Sequence, residues 1–248
     1  MNPYDLIGKR ILVTGASSGI GCACAICSSQ LGASVILTGR RQSALEETHA
    51  KCDGDGHIVV AGDINSPEFV NELAEKCGKI DGLVHAAGIG PMCPVGMLND
   101  EHIDSVMQTN YYSFLELMKY YSKNKYRNPQ LSVVAVSSVS SSSGWGGGVV
   151  YCGSKGALSS SVRALAMELA SKGIRVNAVC PSNIRTPLYE AGASDMNDEA
   201  TLKELLKKQP LGLGEPEQVA WPVCFLLSDA ASFITGVNLP VDGGYLAQ

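Results

Sequence analysis

The apolar positions of this chain fall into short runs separated by longer stretches with helical spacing. The runs are Arg10–Thr14 (RILVT), Ser34–Thr38 (SVILT), His57–Ala61 (HIVVA), Ile80–His85, Leu131–Val136, Ile174–Val179 and Gly236–Val241. Between them the spacing predicts helices from the first glycine cluster to about Leu31, over Gln42–Cys52, over Pro67–Lys76, over Glu101–Ser122 and over Tyr151–Ser171. Apolar runs without in–out alternation are the mark of strands covered on both faces, and their alternation with helices points to a doubly wound parallel sheet. The rhythm is unbroken from residue 10 to 180, without linker or repeat, so the expectation is one α/β domain over residues 1–248.

Three stretches break the rhythm. Ser137–Ser143 is serine-rich and runs into Gly144-Trp145-Gly146-Gly147-Gly148, at the C-terminal end of a central strand, where open α/β sheets bind ligands. Residues 187–214 are polar and weakly helical, and an insertion of that length reads as a lid over a substrate site. The third is the turn Asp242-Gly243-Gly244-Tyr245.

Composition narrows the class. With 248 residues, 45% hydrophobic and 17% charged, the chain can build a large core and is not disordered. A net charge of −5 disfavours binding nucleic acid through its phosphates. No apolar run reaches the length of a membrane span, and the opening MNPYDLIGKR has no secretory apolar segment. Nine cysteines, an odd number, read as reduced thiols. The expectation is a cytoplasmic protein with neither nucleic-acid nor membrane partners.

The loop between the first strand and first helix is Thr14-Gly15-Ala16-Ser17-Ser18-Gly19-Ile20-Gly21. Its GxxxGxG spacing differs from the commoner GxGxxG, but glycines ahead of a helix N-terminus still let a pyrophosphate approach unpaired N–H groups. The second strand ends in Thr38-Gly39-Arg40-Arg41, with no carboxylate before Glu46. An acidic side chain here would take the ribose of NAD, whereas Arg suits the 2′-phosphate of NADP. NADP(H) is therefore the expected cofactor, with Arg40 its phosphate partner and NAD the lesser option. Tyr151 and Lys155 stand at i and i+4 on one helix face, so the ammonium favours the phenolate. Ser138 lies 13 residues upstream at the end of the preceding strand.

Together these residues resemble the short-chain dehydrogenase/reductase family over nearly the whole chain. TGASSGIG matches its TGxxxGxG, Ala86-Ala87-Gly88 most of its NAAG, and Asn110 its central-helix Asn. Ser138, Tyr151 and Lys155 match its active-site set, and Val241-Asp242-Gly243-Gly244 its C-terminal signature. Asp63-Ile64 matches the pair beside the adenine, and Pro181, Ile184 and Thr186 the segment bordering the nicotinamide. The resemblance implies a Rossmann fold of about seven strands and a cofactor site at Gly15, Ser17, Ser18, Gly19, Ile20, Gly21, Arg40, Asp63, Ile64, His85, Ala86, Ala87, Gly88, Tyr151, Lys155, Pro181, Ile184 and Thr186. It implies that Tyr151 is the proton donor, that Ser138 stabilises the substrate oxygen, that Lys155 tunes the phenol and binds ribose, and that Asn110 holds a relay water. It implies a homotetramer as well. Two positions depart from the pattern: His85 replaces Asn at the cofactor wall, and Ser182 replaces the Gly of a PG pair.

Other features read as structural. Cys22, Cys24 and Cys27 in the first helix lack further metal ligands and suit a packed core. His49, His57 and His102 read as surface residues. Lys119, Lys123, Lys125 and Arg127 form a basic cluster that reads as a solvated helix end, or as a docking patch for an acidic carrier. The leading expectation is an NADP(H)-dependent carbonyl reductase or alcohol dehydrogenase acting on a small molecule; the overall match is similar to 3-oxoacyl-acyl-carrier-protein reductases, which makes a carrier- or CoA-linked 3-oxoacyl thioester one candidate substrate. Sugar, polyol and steroid dehydrogenases share every motif and remain the alternative. A non-catalytic cofactor-binding protein would have lost Ser138, Tyr151 or Lys155, and an epimerase would need a larger C-terminal domain.

Overall fold

The computed structural model describes residues 2–193 and 207–247. Seven strands form one sheet: β1 Arg10–Thr14, β2 Ser34–Gly39, β3 Ile58–Ala61, β4 Ile80–His85, β5 Arg127–Val136, β6 Ile174–Pro181 and β7 Asn238–Val241. Every neighbouring pair is parallel, in the order β3-β2-β1-β4-β5-β6-β7. The chain winds outward from β1 to β3 and returns to place β4 on the other side of β1. That reversal opens a crevice beyond the C-terminal ends of β1 and β4, the usual ligand position in such sheets.

The described helices are α1 Gly19–Gln30, α2 Gln42–His49, α3 Pro67–Cys77, α4 Asp100–Met107, α5 Ser113–Tyr121, α6 Val149–Leu169, α7 Pro187–Ala193 and α8 Pro216–Leu227. Local chemistry sets their ends. Ser66 caps α3 by accepting the Phe69 N–H at 3.1 Å, Pro67 follows it, and Gly78 ends the helix at φ 63°. Asn99 caps α4 by accepting the His102 N–H at 2.8 Å. The single helix expected over residues 101–122 is helical throughout, but Gln108–Tyr112 forms a wide π-type turn in its middle.

Two apolar layers flank the sheet. Leu12, Ile36, Leu83, Val133 and Val176 face Val70 and Leu73 of α3, Phe114 and Leu117 of α5, and Leu158 and Val162 of α6. On the other face Val13, Val35, Val84 and Val134 meet Ala23 and Cys27 of α1, and Val219 and Val223 of α8. Cys24 and Cys27 are core residues beside Cys224, and burial pushes the Cys27 thiol up to about 11. His57 is more than a surface residue: its Nδ1 accepts the Val35 N–H at 3.0 Å and its Nε2 bonds the Asp53 carbonyl at 2.9 Å. Among the described residues no helix is long and apolar enough to cross a membrane.

Of the stretch expected to be a lid, 187–193 and 207–214 are described. Residues 194–206 lie outside the described residues.

Candidate active site

The crevice holds a cavity of about 1280 Å³. One end is lined by Arg40, Asp63 and Ile64, the middle by the glycine loop, and the other end by Ser138, Tyr151 and Lys155. The volume exceeds that of an ordinary small-molecule pocket, as an extended dinucleotide plus substrate requires.

The glycine loop approaches the β4 end too closely for side chains. A Cβ on Gly15, whose φ is 66°, would stand 2.8 Å from the Ala87 nitrogen, and one on Gly21 would meet the Gly15 carbonyl. A Cβ on Gly19 would stand 3.1 Å from Thr186 Cγ2, so the loop and the 181–186 segment close on the crevice from opposite sides. Thr14, which sequence reasoning left out of the site, stitches the two central strands: its Oγ1 accepts from the Ala86 and Ala87 amides at 3.2 and 3.1 Å. The α1 N-terminus opens onto the cavity through Ser18 and Gly19. This cradle, with unpaired amides and no bulk, fits a pyrophosphate.

At the far end, α6 carries Tyr151 and Lys155 on the face turned to the sheet, with Ser154, Leu158 and Ser159 continuing that face. The Lys155 Nζ donates to the Val136 carbonyl at 2.8 Å and stands 5.8 Å from the Tyr151 ring centroid. Burial pulls Lys155 down to about 8. Burial also pushes the Tyr151 phenol up, with the Ser138 hydroxyl pulling the other way. The i, i+4 spacing predicts a lowered phenol; in the cofactor-free protein the shift runs upward, with burial its largest cause. Gly90 lies against the Tyr151 ring, where a Cβ would stand 3.2 Å from Cδ2, and Trp145 stands 6.2 Å from it between centroids. Trp145 and its partner Ser140, joined by a 3.3 Å bond, extend the reactive end.

Of the expected residues, Gly15, Ser17, Ser18, Gly19, Ile20, Gly21, Arg40, Asp63, Ile64, Ala86, Ala87, Gly88, Ser138, Tyr151, Lys155, Pro181, Ile184 and Thr186 all line the cavity. Two do not. His85, expected in the cofactor wall, is fully buried behind it, because strand alternation turns it with Leu83 towards Phe114. Asn110 is also fully buried. Its amide donates to the Ile89 carbonyl at 2.9 Å and to Ser154 Oγ at 3.0 Å, while its Oδ1 accepts the Ile89 N–H at 2.8 Å. Ser154 was not foreseen; its position on the inward face of α6 was the available signal. The Ser182 hydroxyl donates to the Asp242 carbonyl at 2.9 Å, tying this segment to the C-terminal turn.

A family model described as enoyl-(acyl carrier protein) reductase matches residues 15–246. The chain is 36% identical over 246 residues to a 3-oxoacyl-[acyl-carrier-protein] reductase of Rickettsia conorii, covering 98% of each. It belongs to the short-chain dehydrogenase/reductase family. Within that family it is also 37% identical to an L-rhamnose 1-dehydrogenase (NAD(P)(+)) of a Sphingomonas species, over 96% of each chain. A solved structure from Beutenbergia cavernae, described as an NAD(P)-dependent gluconate 5-dehydrogenase with bound NADP, superposes with a TM-score of 0.90 at 30% identity over the full length of both. As a member of this family the chain is an oxidoreductase that uses NAD(P) and interconverts carbonyl and CH–OH groups.

Folding divides the basic cluster: Lys123 and Arg127 line a second, shallower concavity together with Lys79 and Lys172. Lys119 pairs with Glu116, and Lys125 pairs with Glu75. Arg127 is buried and bonds the Asn128 and Pro129 carbonyls. All lie at the N-terminal end of β5, the opposite end of the sheet from Tyr151.

Proposed function

We propose that the chain is an NADPH-dependent reductase of a small ketone, with a 3-oxoacyl thioester as the leading substrate class. The observation that carries the reading is the convergence of Ser138, Tyr151 and Lys155 on one end of a dinucleotide-sized crevice. The bound nicotinamide supplies the hydride. Tyr151, held protonated by burial, gives its proton to the carbonyl oxygen, and Ser138 stabilises the charge that develops there. Lys155 favours the phenolate left behind and holds the nicotinamide ribose, while the Asn110 backbone steadies a relay water. Arg40 and Arg41 line the adenine end, and Arg40, which makes no ion pair among the described residues, takes the 2′-phosphate.

Ile89, Gly90, Met92, Trp145 and Leu188 give the substrate end an apolar wall suited to an acyl chain. A carrier-bound substrate remains in this reading. Kinship to the rhamnose dehydrogenase, with Ser140 and Asn183 at the same end, favours a sugar as the second reading. Leu188 and Tyr189 of α7 form part of the cover over the substrate. The exposed apolar residues Met167, Trp221 and Phe233 support assembly into a tetramer, and nine free thiols support a reducing, cytoplasmic setting. The test follows NADPH oxidation with acetoacetyl thioesters, sugars, diols and steroid ketones, on wild type and Tyr151→Phe. Turnover with one class, lost in the variant while NADPH affinity stays, supports the reading. Turnover within a factor of a few in Tyr151→Phe rejects it.

A further inference from the structure

Trp145 lies in the loop between the strand that leads to Ser138 and the helix that carries Tyr151, and its indole is held in place. The Nε1–H donates to Ser140 Oγ at 3.3 Å. One face rests on Gly148, where a Cβ would stand 2.5 Å from Cε2 and 2.7 Å from Cδ2. The Tyr151 ring is 6.2 Å away between centroids, tilted by 51°. The loop is tied in turn to the segment after β4. Gly147, at φ 82°, accepts the Cys93 N–H on its carbonyl at 2.9 Å, and a Cβ there would stand 2.6 Å from Met92 Cγ. Another flank of Tyr151 is apolar as well: a Cβ on Gly90 would stand 3.2 Å from the ring and 3.7 Å from Leu188 Cδ1.

This surround offers carbon to a substrate. Met92, Trp145 and Leu188 all line the crevice, and Trp145 is 39% exposed, an area of indole that a substrate chain would cover. The indole has one hydrogen-bonding group, and it is committed to Ser140. Asn183, the other polar side chain that favours the sugar reading, donates its Nδ2 to the buried Gln209 at 3.3 Å. A ketone whose oxygen meets Ser138 and Tyr151 brings a substituent against this wall. Each methylene buried there favours binding about fourfold, whereas a hydroxyl stripped of water without a partner opposes it by about fivefold or more.

We propose that Trp145 is a specificity-determining residue: its indole, backed by Gly148 and flanked by Met92 and Leu188, selects ketones with an alkyl substituent over hydroxylated ones. The inference rests on the active-site reading above and narrows the substrate class within it. The alkyl chain of a 3-oxoacyl group suits the wall, and a sugar does not.

The selection is read as kcat/KM on 3-oxoacyl thioesters of increasing chain length and on ketoses. In the wild type it should rise about fourfold with each of the first added methylenes, and favour the thioesters over ketoses by about tenfold or more. Trp145→Ala should flatten the series and lower kcat/KM on its longer members by about 10- to 100-fold, through KM, while NADPH affinity changes little. Trp145→Phe keeps an aromatic face and should recover to within about fivefold of wild type. Gly148→Ala keeps the indole but pushes it off its seat, and should follow Trp145→Ala. A wild type that prefers ketoses, or equal losses on both classes in Trp145→Ala, overturns the proposal.

A second arm needs no turnover. The chain has two tryptophans, so in Trp221→Phe the indole emission belongs to Trp145 alone. With NADP bound, hexanamide, whose carbonyl hydride does not reduce, should move that emission to shorter wavelength, and gluconamide should not. An unmoved spectrum, or the same shift with both amides, overturns the proposal. The active-site reading fails separately, through turnover in Tyr151→Phe, which leaves this spectral shift in place.

Discussion

Lys155→Met should make the cofactor-free protein more stable at neutral pH while abolishing turnover. Lys155 is 5% exposed, and burial pulls its pKa from the ordinary 10.5 to about 8. A lysine lowered in this way destabilises the fold while it is charged. The cost at pH 7 is about 3 kcal/mol, at roughly 1.4 kcal/mol per pH unit. Methionine fills similar space without the charge but leaves the Val136 carbonyl without its 2.8 Å partner, which returns about 1 kcal/mol. The net gain is about 2 kcal/mol, or roughly 4–8 °C in Tm for a chain of this size. Its pH dependence is the sharper signature. Between pH 8 and 10.5 the folded wild type has released a proton that the unfolded chain keeps, so wild-type stability rises with pH in that window. Methionine has no such term, and its advantage should shrink by about 2 kcal/mol by pH 9.5. Thermal unfolding of both proteins at pH 6.5 and 9.5, without cofactor, measures the difference directly. A destabilised variant at pH 6.5, or a gap that does not change with pH, would refute the argument.

Arg40→Ala should weaken NADPH binding by about 10- to 100-fold through loss of a charge-assisted contact, and leave NADH within about twofold; equal losses for both, read by fluorescence titration, would contradict the 2′-phosphate assignment. Gly15→Ala forces a methyl into a residue at φ 66° and against the Ala87 nitrogen at 2.8 Å. It should cost about 2–4 kcal/mol and remove measurable dinucleotide binding, whereas a wild-type Tm would mean the loop is not held as described.

The parts of the site that sequence could show are those built within one element. The glycine spacing ahead of α1, the i, i+4 pair on α6 and the arginines after β2 each carry their geometry locally, and all of them line the crevice. The parts it hid depend on which face an element turns inward. His85 and Ala86 are neighbours in sequence, yet one is fully buried and the other lines the cavity. Four basic residues close in sequence look like one patch, but folding pairs Lys119 and Lys125 with Glu116 and Glu75 and sets Lys123 and Arg127 beside the distant Lys79 and Lys172. The wide turn at Gln108–Tyr112 has no signal in the apolar spacing, which continues through it as though the helix were regular. In the same way the i, i+4 spacing predicts an ammonium beside Tyr151 but carries no signal of the burial that raises the phenol.

That last imbalance bears on the direction of the chemistry. Before cofactor and substrate arrive, burial acts against both charged forms, raising the phenol and lowering the ammonium. A protonated phenol is the state a carbonyl reduction needs at its start, while alcohol oxidation needs that proton gone. An oxidised nicotinamide carries a positive charge that the reduced form lacks, so its arrival favours the phenolate. On the role proposed for Tyr151, the same side chain would serve as an acid beside one redox state of the cofactor and as a base beside the other. The low exposure of Lys155, a liability for stability in the empty protein, is on this argument what couples the phenol's readiness to the occupied crevice.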